Sequence, residues 1–409
     1  MMSLGYRPEW SEGSVKCPIF QTSTFVFESA EEGKHFFELA YGLKEPKTGE
    51  ALGLIYSRLN NPDLEILENR LAVWDKAEAG AVFSSGMAAI STVLLEFLSP
   101  GDLLLYSTPL YGGTQHFIEQ VLPKWGIRIL AFSSSDSLER IEESLAGSGV
   151  RESLRLIYVE TPANPTNTLI DLAAMKRLAE GHTFPDKEVF LAVDNTYLGP
   201  LWQHPIAHGA DLVLYSATKY IGGHSDLIAG AVLGSTSLIS RLKVLRTFMG
   251  NMTSPWTCWL LLRSLETLKI RMLEQQRNAI QVAAFLNSHA AVERVYYPGL
   301  QSHPQHDLAM RQMSGLGGAV LSLDVRASGA EQARARAFHV LDSLQVLSLA
   351  TNLGDTKTLA CHPASTSHGK LSESQRHAAG IGQGLIRIAV GLELLDDIKA
   401  DLLRGLDTL

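Results

Sequence analysis

The stretch that decides the fold reads Asp211-Leu-Val-Leu-Tyr-Ser-Ala-Thr-Lys-Tyr-Ile-Gly-Gly-His-Ser-Asp226. Its apolar run 212–215 predicts a short buried strand, which gives way to Ser216, Thr218 and Lys219 before a glycine turn. A lysine at this place suits a Schiff base with an aldehyde cofactor, while the two hydroxyls bind a phosphate. The alternative is an ordinary strand end whose lysine extends to water. This stretch alone leaves both interpretations open.

Short apolar runs and helical patterns alternate through the preceding half of the chain. The predicted strands cover residues 81–83, 102–107, 127–132, 155–160 and 189–193, and the predicted helices cover 63–72, 87–97 and 172–179. This alternation predicts an α/β fold, with a mostly parallel sheet that carries helices on both faces. Ligands of such sheets bind at the carboxyl ends of the strands.

Polar residues follow five of the predicted strands, and they are Ser85, Tyr111, Asn164, Asp194 and Lys219. One polar strand end carries little information, but five independent strand ends that agree predict a shared site. The small-residue turn 84–86 also precedes the helix 87–97, so that backbone N–H groups and the helix dipole point at one place. That arrangement suits a phosphate, although many plain α/β turns look the same.

Asp194 is a carboxylate at the end of a buried strand, which costs several kcal/mol unless a cation pairs with it. The protonated ring nitrogen of a pyridoxal cofactor would supply that cation and would keep the ring an electron sink. A turn or helix-capping aspartate is about as common. Tyr111, at a strand-end turn, could stack on the cofactor and act as an acid or base, or it could simply pack.

Arg387 lies in the apolar run 384–390, where a half-buried guanidinium needs an anion. A bidentate clamp on a substrate carboxylate fits this requirement, and an internal salt bridge fits it equally well. Tyr56 and Arg58 stand in an N-terminal arm, from which they could reach the phosphate of a neighbouring subunit.

Three segments are expected along the chain: an N-terminal arm 1–62, a cofactor-binding α/β domain 63–256 and a C-terminal α+β domain 257–409. The arm has weak periodicity. The C-terminal segment follows a long helical stretch, 255–288, and combines the predicted strands 317–323, 345–350 and 384–390 with a helix at 330–341.

Composition excludes several classes of protein. The 409 residues carry a formal charge of −8 without Lys/Arg clustering, which argues against a nucleic-acid partner. No apolar run is long enough for a membrane span, and the N-terminus lacks an apolar signal core, so a cytoplasmic protein is expected. The three cysteines have no paired spacing, and no metal site is predicted.

Short motifs spread along the chain together resemble the Cys/Met-metabolism pyridoxal-phosphate enzymes, a family with cystathionine γ-synthase, cystathionine and methionine γ-lyases, and O-acylhomoserine sulfhydrylases. The motifs are Tyr56-Ser57-Arg58, Asn61-Pro62, Ser85-Gly86-Met87, Leu110-Tyr111-Gly112-Gly113, Thr161-Pro162-Ala163-Asn164-Pro165, Asp194-Asn195-Thr196, Ser216-Ala217-Thr218-Lys219-Tyr220, Gly223-His224-Ser225-Asp226, His362-Pro363-Ala364-Ser365 and Gly384-Leu385-Ile386-Arg387. The resemblance covers about residue 15 to the C-terminus.

The resemblance implies a fold-type I, PLP-dependent transferase-like fold, pyridoxal 5′-phosphate as cofactor, and an amino acid as substrate. It implies that Lys219 forms the Schiff base, that Asp194 pairs with the ring nitrogen and that Tyr111 stacks on the ring. The other cofactor contacts that it implies are Gly86, Met87, Asn164, Ser216 and Thr218, with Tyr56 and Arg58 from a neighbouring subunit. It also implies that Arg387, Asn352 and Tyr56 bind substrate, in a homotetramer of two dimers that share active sites across the dimer interface.

Departures from the family pattern bear on the substrate. Members that handle cystathionine tend to carry acids where this chain has Ile55 and Thr351, and many methionine γ-lyases have a cysteine where it has Gly113. An apparent insertion at 41–53, with Glu45 and Glu50, could adapt the pocket to an unusual γ-substituent. We therefore expect a γ-lyase for thioether, O-acyl or γ-oxy amino acids such as canavanine. γ-Replacement with a thiol is the alternative, and a β-elimination enzyme or a catalytically idle relative is less favoured.

Overall fold

The computed structural model describes residues 2–45, 47, 53–185 and 187–409. Its strands are β1 (Ala79–Phe83), β2 (Leu103–Thr108), β3 (Arg128–Ser133), β4 (Leu154–Glu160), β5 (Phe190–Asp194), β6 (Leu212–Ser216), β7 (Gly230–Gly234), β8 (Val292–Tyr296), β9 (Val320–Val325), β10 (Ser348–Leu349), β11 (Leu359–Cys361) and β12 (Leu385–Ala389). Its α-helices are α1 (Ala30–Ala40), α2 (Pro62–Asp75), α3 (Gly86–Phe97), α4 (Gly112–Gln120), α5 (Leu138–Gly147), α6 (Leu172–Gly181), α7 (Gly199–Trp202), α8 (Thr236–Met249), α9 (Pro255–Leu265), α10 (Leu268–Asn287), α11 (His306–Gln312), α12 (Ala330–Asp342), α13 (Glu373–Ala378) and α14 (Leu395–Leu406).

The larger sheet has seven strands in the order β1-β7-β6-β5-β4-β2-β3. All its strands run parallel except β7, which is antiparallel to both of its neighbours. Alternate residues of β4 enter two different cores: Leu156 and Tyr158 pack with residues of α3 and α4, whereas Ile157 and Val159 pack with residues of α2 and α6. The prediction of a mostly parallel sheet with helices on both faces is confirmed.

The smaller sheet has five strands in the order β10-β11-β12-β9-β8, and its pairs are antiparallel apart from β10 with β11. The helices α10 and α12 pack against it, and α14 packs against both helices. The predicted α+β character of the C-terminal part is confirmed, while the boundaries at 62/63 and 256/257 stay predictions.

Two of the predicted elements are wrong in extent. The expected helix 255–288 is two helices, since α9 ends at Leu265 and α10 begins at Leu268. The guanidinium of Arg271 donates a hydrogen bond to the carbonyl of Ser264, which competes with the helical hydrogen bond at this place. The expected strand 345–350 is reduced to β10, because the carboxylate of Asp401 accepts the backbone N–H groups of residues 345–347. These N–H groups are therefore not free for a strand ladder.

The N-terminal arm contains a helix, α1, that its weak periodicity did not predict. Ser29 caps this helix by accepting the N–H of Glu32. The apparent insertion at 41–53 lies partly outside the described residues: Glu45 is described, whereas Glu50 is not. In the part of the chain that the structure describes, no helix has the length and apolarity that crossing a membrane requires.

Candidate active site

Lys219 lies three residues beyond the end of β6, at the carboxyl edge of the large sheet. Its Nζ donates to Oδ1 of Asn352, and the amide nitrogen of Asn352 donates in turn to Oγ of Ser225 at 2.9 Å. Burial, followed by the positive charge of Arg387, lowers the pKa of Lys219 to about 8. The amine is therefore much easier to deprotonate than an ordinary lysine.

Asp194 ends β5, the strand next to β6, as the sequence predicted for these two neighbouring strand ends. Its side chain is buried and accepts hydrogen bonds from the Tyr158 hydroxyl at 3.2 Å and from the Thr196 N–H at 3.0 Å. Both donors are neutral, and among the described residues no cationic side chain lies within ion-pair distance. Burial raises the pKa of Asp194.

The turn after β1 brings helix α3 up to the end of β6. Ser85 caps α3 by accepting the N–H of Ala88 at 3.0 Å, and Gly86 is the first helical residue. A Cβ on Gly86 would lie 2.9 Å from Cβ of Ser216, so only glycine fits this close approach. The hydroxyl of Thr218 exchanges hydrogen bonds with the backbone of Ala229 on the same side of the site.

Tyr111 follows β2 and stands immediately before α4. Its side chain is 50% exposed, and its backbone N–H donates to Oε2 of Glu160 at 2.8 Å. The tyrosine ring lies over Gly113, because a Cβ at that position would come within 2.7 Å of the ring carbon Cε1. Met87 also approaches Gly113, with its sulfur 3.2 Å from the same point.

Arg387, on β12 of the smaller sheet, is buried without an acid. Its Nη1 donates to Oδ1 of Asn164 at 3.1 Å, and its Nη2 donates to the carbonyls of Thr351 and Asn352 at 2.8 and 3.1 Å. Its Nε has no partner, and no carboxylate of the described residues is within ion-pair distance. The alternative of an internal salt bridge is therefore wrong for the described residues, and the guanidinium still needs an anion.

One cavity of about 1140 Å³ joins these elements. The predicted site residues in its wall are Gly86, Met87, Tyr111, Asn164, Asp194, Ser216, Thr218, Lys219, Thr351, Asn352 and Arg387. Tyr56, Arg58 and Ile55 are not in the wall: Tyr56 is 40% exposed, Arg58 donates to the carbonyl of Thr247 at 2.7 Å, and Ile55 is buried in the arm.

Comparisons with known proteins agree with this geometry. Residues 1–407 match the family profile described as Cys/Met metabolism PLP-dependent enzyme. The chain belongs to this family. It is 40% identical over 397 residues to an L-methionine γ-lyase from Fusobacterium nucleatum subsp. polymorphum, covering 97% of this chain and 94% of the relative. It is also 40% identical over 402 residues to an O-succinylhomoserine sulfhydrylase from Pseudomonas aeruginosa, covering 98% and 92%.

Solved structures show the same similarity in three dimensions. A crystal structure of cystathionine γ-lyase from Lactobacillus plantarum complexed with L-serine superposes with a TM-score of 0.85 at 33% identity, covering 99% of this chain and 96% of that one. A cystathionine γ-synthase from Xanthomonas oryzae pv. oryzae, in complex with aminoacrylate and cysteine, also gives 0.85, at 34% identity and with coverage of 97% and 94%. The fold-type I, PLP-dependent class is thereby established.

The family's cofactor is pyridoxal 5′-phosphate, and the residues present fit it. Asp194 is a buried carboxylate with neutral donors alone, which suits a protonated ring nitrogen. The N-terminus of α3, whose Gly86 and Met87 line the cavity, lies next to Ser216, which suits a phosphate. Lys219 offers an amine whose lowered pKa suits a carbonyl group.

The sequence analysis assigned no role at the site to several residues that the structure places there. Glu160, Ser225, Tyr197 and His368 all line the cavity. Glu160 had a usable signal, since it ends a predicted strand one position before the Thr161-Pro162 turn. Ser225 belongs to the Gly223-His224-Ser225-Asp226 motif, but its contact with Asn352 has no sequence signal, because the two residues are 127 positions apart.

Proposed function

We propose that this family member is a γ-lyase, which removes a sulfur- or oxygen-linked γ-substituent from an L-amino acid. The observation that carries the proposal is the unpaired, buried guanidinium of Arg387 in the same cavity as Lys219 and Asp194. An α-amino acid brings a carboxylate for the arginine and an α-carbon that must lie within reach of the lysine. The arrangement therefore orients an amino acid by its head group.

We assign the cofactor contacts as the sequence predicted them. When the cofactor is bound, Asp194 would pair with the ring nitrogen, Tyr111 would stack on the ring, and Lys219 would form the Schiff base. Gly86, Met87, Ser216 and Thr218 would hold the phosphate, and Asn164, which accepts from Arg387, would contact the cofactor as well. Support comes from the shared cavity and from the hydrogen bond of Arg387 to Asn164.

The bound cofactor supplies an electron sink for negative charge at the substrate α-carbon. Lys219 removes the α-proton and returns a proton later, and its lowered pKa keeps a usable fraction of neutral amine near pH 7.5. Arg387 holds the carboxylate, and Tyr111 assists the departing γ-group with a proton. One water is consumed, and the products are the protonated leaving group, 2-oxobutanoate and ammonium.

The residues that face the γ-substituent favour an uncharged thioether or a γ-oxy group. Thr351 lies in the cavity wall where an acid for a distal ammonium would stand, and Gly113 offers no thiol. We therefore propose methionine-like, O-substituted homoserine or canavanine-like substrates rather than cystathionine. Ile55, if it enters the pocket of a neighbouring subunit, adds an apolar surface there.

The test is product analysis with purified holoenzyme and a panel of γ-substituted amino acids, without added thiol. Release of 2-oxobutanoate, or of homoserine by water addition, in stoichiometric amount with the leaving group establishes γ-elimination, and the best substrate names it. Pyruvate instead would indicate β-elimination. Absence of turnover by any panel member, in a protein that shows visible cofactor absorbance, would refute the lyase proposal.

A second candidate is γ-replacement with a thiol, as an O-acylhomoserine sulfhydrylase or a cystathionine γ-synthase. The cavity of about 1140 Å³ has room for a nucleophile besides the amino acid, and this observation favours it as the alternative. Turnover that depends on added thiol would select this candidate.

We also infer a cytoplasmic homotetramer built from two dimers. Tyr56 and Arg58 are exposed and absent from the cavity of their own chain, which supports their use in a neighbour's site. Val26 in the arm is 95% exposed and Phe248 on α8 is 79% exposed. Large apolar side chains with this exposure in a single chain are typical of a surface that a second subunit covers. All three cysteines are free and buried, in keeping with a reducing compartment. Light scattering tests the tetramer. The affinity of an Arg58→Ala variant for the cofactor tests whether Arg58 contributes to the site of a neighbouring subunit.

A further inference from the structure

Glu160 is a buried acid in the cavity wall for which the reaction above gives no role. It ends β4, and its Cα is the register partner of Asp194 at the end of β5. Both carboxyl groups are buried on adjacent strands, and neither has a cationic partner among the described residues. A protonated cofactor ring would bring one cation to this place, so it could neutralise only one of the two acids.

The contacts of Glu160 lead to Tyr111. The backbone N–H of Tyr111 donates to Glu160 Oε2 at 2.8 Å, and the backbone of Asn164 also bonds this carboxyl group. Tyr111 lacks any other hydrogen-bond partner outside its own helix in the described part of the chain. Half of the Tyr111 side chain is exposed and its ring lies against Gly113, so the backbone anchor helps to fix the position of the ring.

We propose that Glu160 is a positioning residue, which fixes the first turn of α4 through the N–H of Tyr111 and so holds the tyrosine ring over the cofactor. The proposal rests on the assignment of Tyr111 as the stacking residue. In this proposal the two acids have different roles: Asp194 provides the negative charge for the ring nitrogen, and Glu160 serves as an uncharged hydrogen-bond acceptor.

The surroundings of Glu160 favour its neutral form. Burial and then the charge of Asp194 raise its pKa. The other titratable groups that its charge affects are the hydroxyls of Tyr158 and Tyr197, which are neutral at physiological pH and bring no positive charge. A protonated carboxyl retains a carbonyl oxygen for the Tyr111 N–H, so the anchor does not depend on ionisation.

The test compares two substitutions of similar volume. Glu160→Gln keeps an acceptor and removes only the capacity to ionise, whereas Glu160→Met fills the space without a comparable acceptor. The dissociation constant of pyridoxal phosphate, measured by visible absorbance of reconstituted protein, is the readout, because it requires no turnover. We expect Glu160→Gln to stay within about 2-fold of the parent and Glu160→Met to weaken binding by about 5-fold, as one hydrogen bond of about 1 kcal/mol predicts.

The same pair in a Tyr111→Ala background separates positioning from general structural damage. If Glu160 acts through the tyrosine ring, Glu160→Met has no further effect once that ring is absent. A full 5-fold loss in the Tyr111→Ala background would overturn the proposal. A Glu160→Gln variant as weak as Glu160→Met would also overturn it, because the charge and not the acceptor would then matter. Neither result depends on which γ-substituent the enzyme removes.

Discussion

Replacing Asn352 by aspartate tests the electrostatics of the catalytic lysine most directly. The side-chain oxygen of Asn352 accepts from Lys219 Nζ, so Asn352→Asp puts a carboxylate at the amine without a change of shape. Burial and the charge of Arg387 lower the pKa of Lys219 in the parent. A carboxylate stabilises the ammonium form and opposes both effects. The pKa of Lys219 should therefore rise.

The size of the rise follows from the contact. Two unit charges about 3 Å apart attract by about 5 kcal/mol at an effective dielectric constant of about 20 and by about 1.4 kcal/mol in bulk water. Asn352 is half-buried, so a value of about 2.7 kcal/mol, or about two pH units, is reasonable. At pH 7.5 a pKa of about 8 leaves roughly a quarter of the amines neutral, and the variant would keep on the order of one in 300.

The assay follows the visible absorbance that appears when apoprotein is mixed with pyridoxal phosphate. Only the neutral amine attacks the aldehyde, so the rate should rise with pH through the pKa of Lys219. We expect a midpoint near 8 for the parent and about two pH units higher for Asn352→Asp. Asn352→Leu, which has no charge, is the control and should stay within about one pH unit of the parent. An unchanged midpoint for Asn352→Asp would refute the contact between this side chain and the lysine.

Three further substitutions test other parts of the site. Arg387→Lys keeps a positive charge but loses the planar fork, so kcat/KM should fall by about 100-fold while cofactor absorbance is retained, and a loss below about 3-fold would contradict the carboxylate clamp. Gly86→Ala should weaken cofactor binding by at least about 10-fold in an absorbance titration, because its Cβ would lie 2.9 Å from Ser216, whereas Gly147→Ala, with nothing within 4 Å, should bind normally. Asp194→Asn should reduce kcat by about 100-fold or more, since it removes the counter-charge of the ring nitrogen. Near-parental turnover would show that Asp194 is not the partner of the ring nitrogen.

The sequence predicted those site residues whose position depends on a single strand. Lys219 and Asp194 each follow or end an apolar run, and parallel strands bring their carboxyl ends to one edge whatever the order of the strands. Family resemblance added the roles. The strand β7, which lies antiparallel between β1 and β6, was not predicted. Its five residues carry no information on whether the strand runs parallel or antiparallel to its neighbours.

Contacts that join distant parts of the chain could not be predicted. Asn352 meets Lys219 across 133 residues, and Arg387 meets Asn164 across 223. These pairs join the two sheets, and their formation depends on how the sheets pack. The break between α9 and α10 has the same origin, since the side chain of Arg271 competes for a carbonyl that periodicity assigns to the helix.

The charges of the site explain why it needs both ligands. Lys219 is half-buried and Arg387 is buried, and the positive charge of Arg387 contributes to the lowered pKa of the lysine. Asp194 and Glu160 are two buried acids on adjacent strands. The described ion pairs include none between these two sets, although all four side chains line one cavity. In the proposed function, a substrate carboxylate would neutralise Arg387, and the protonated ring nitrogen would neutralise Asp194. Because binding the substrate carboxylate removes the repulsion between Arg387 and Lys219, it should make the lysine a stronger base at the moment when the α-proton must be removed.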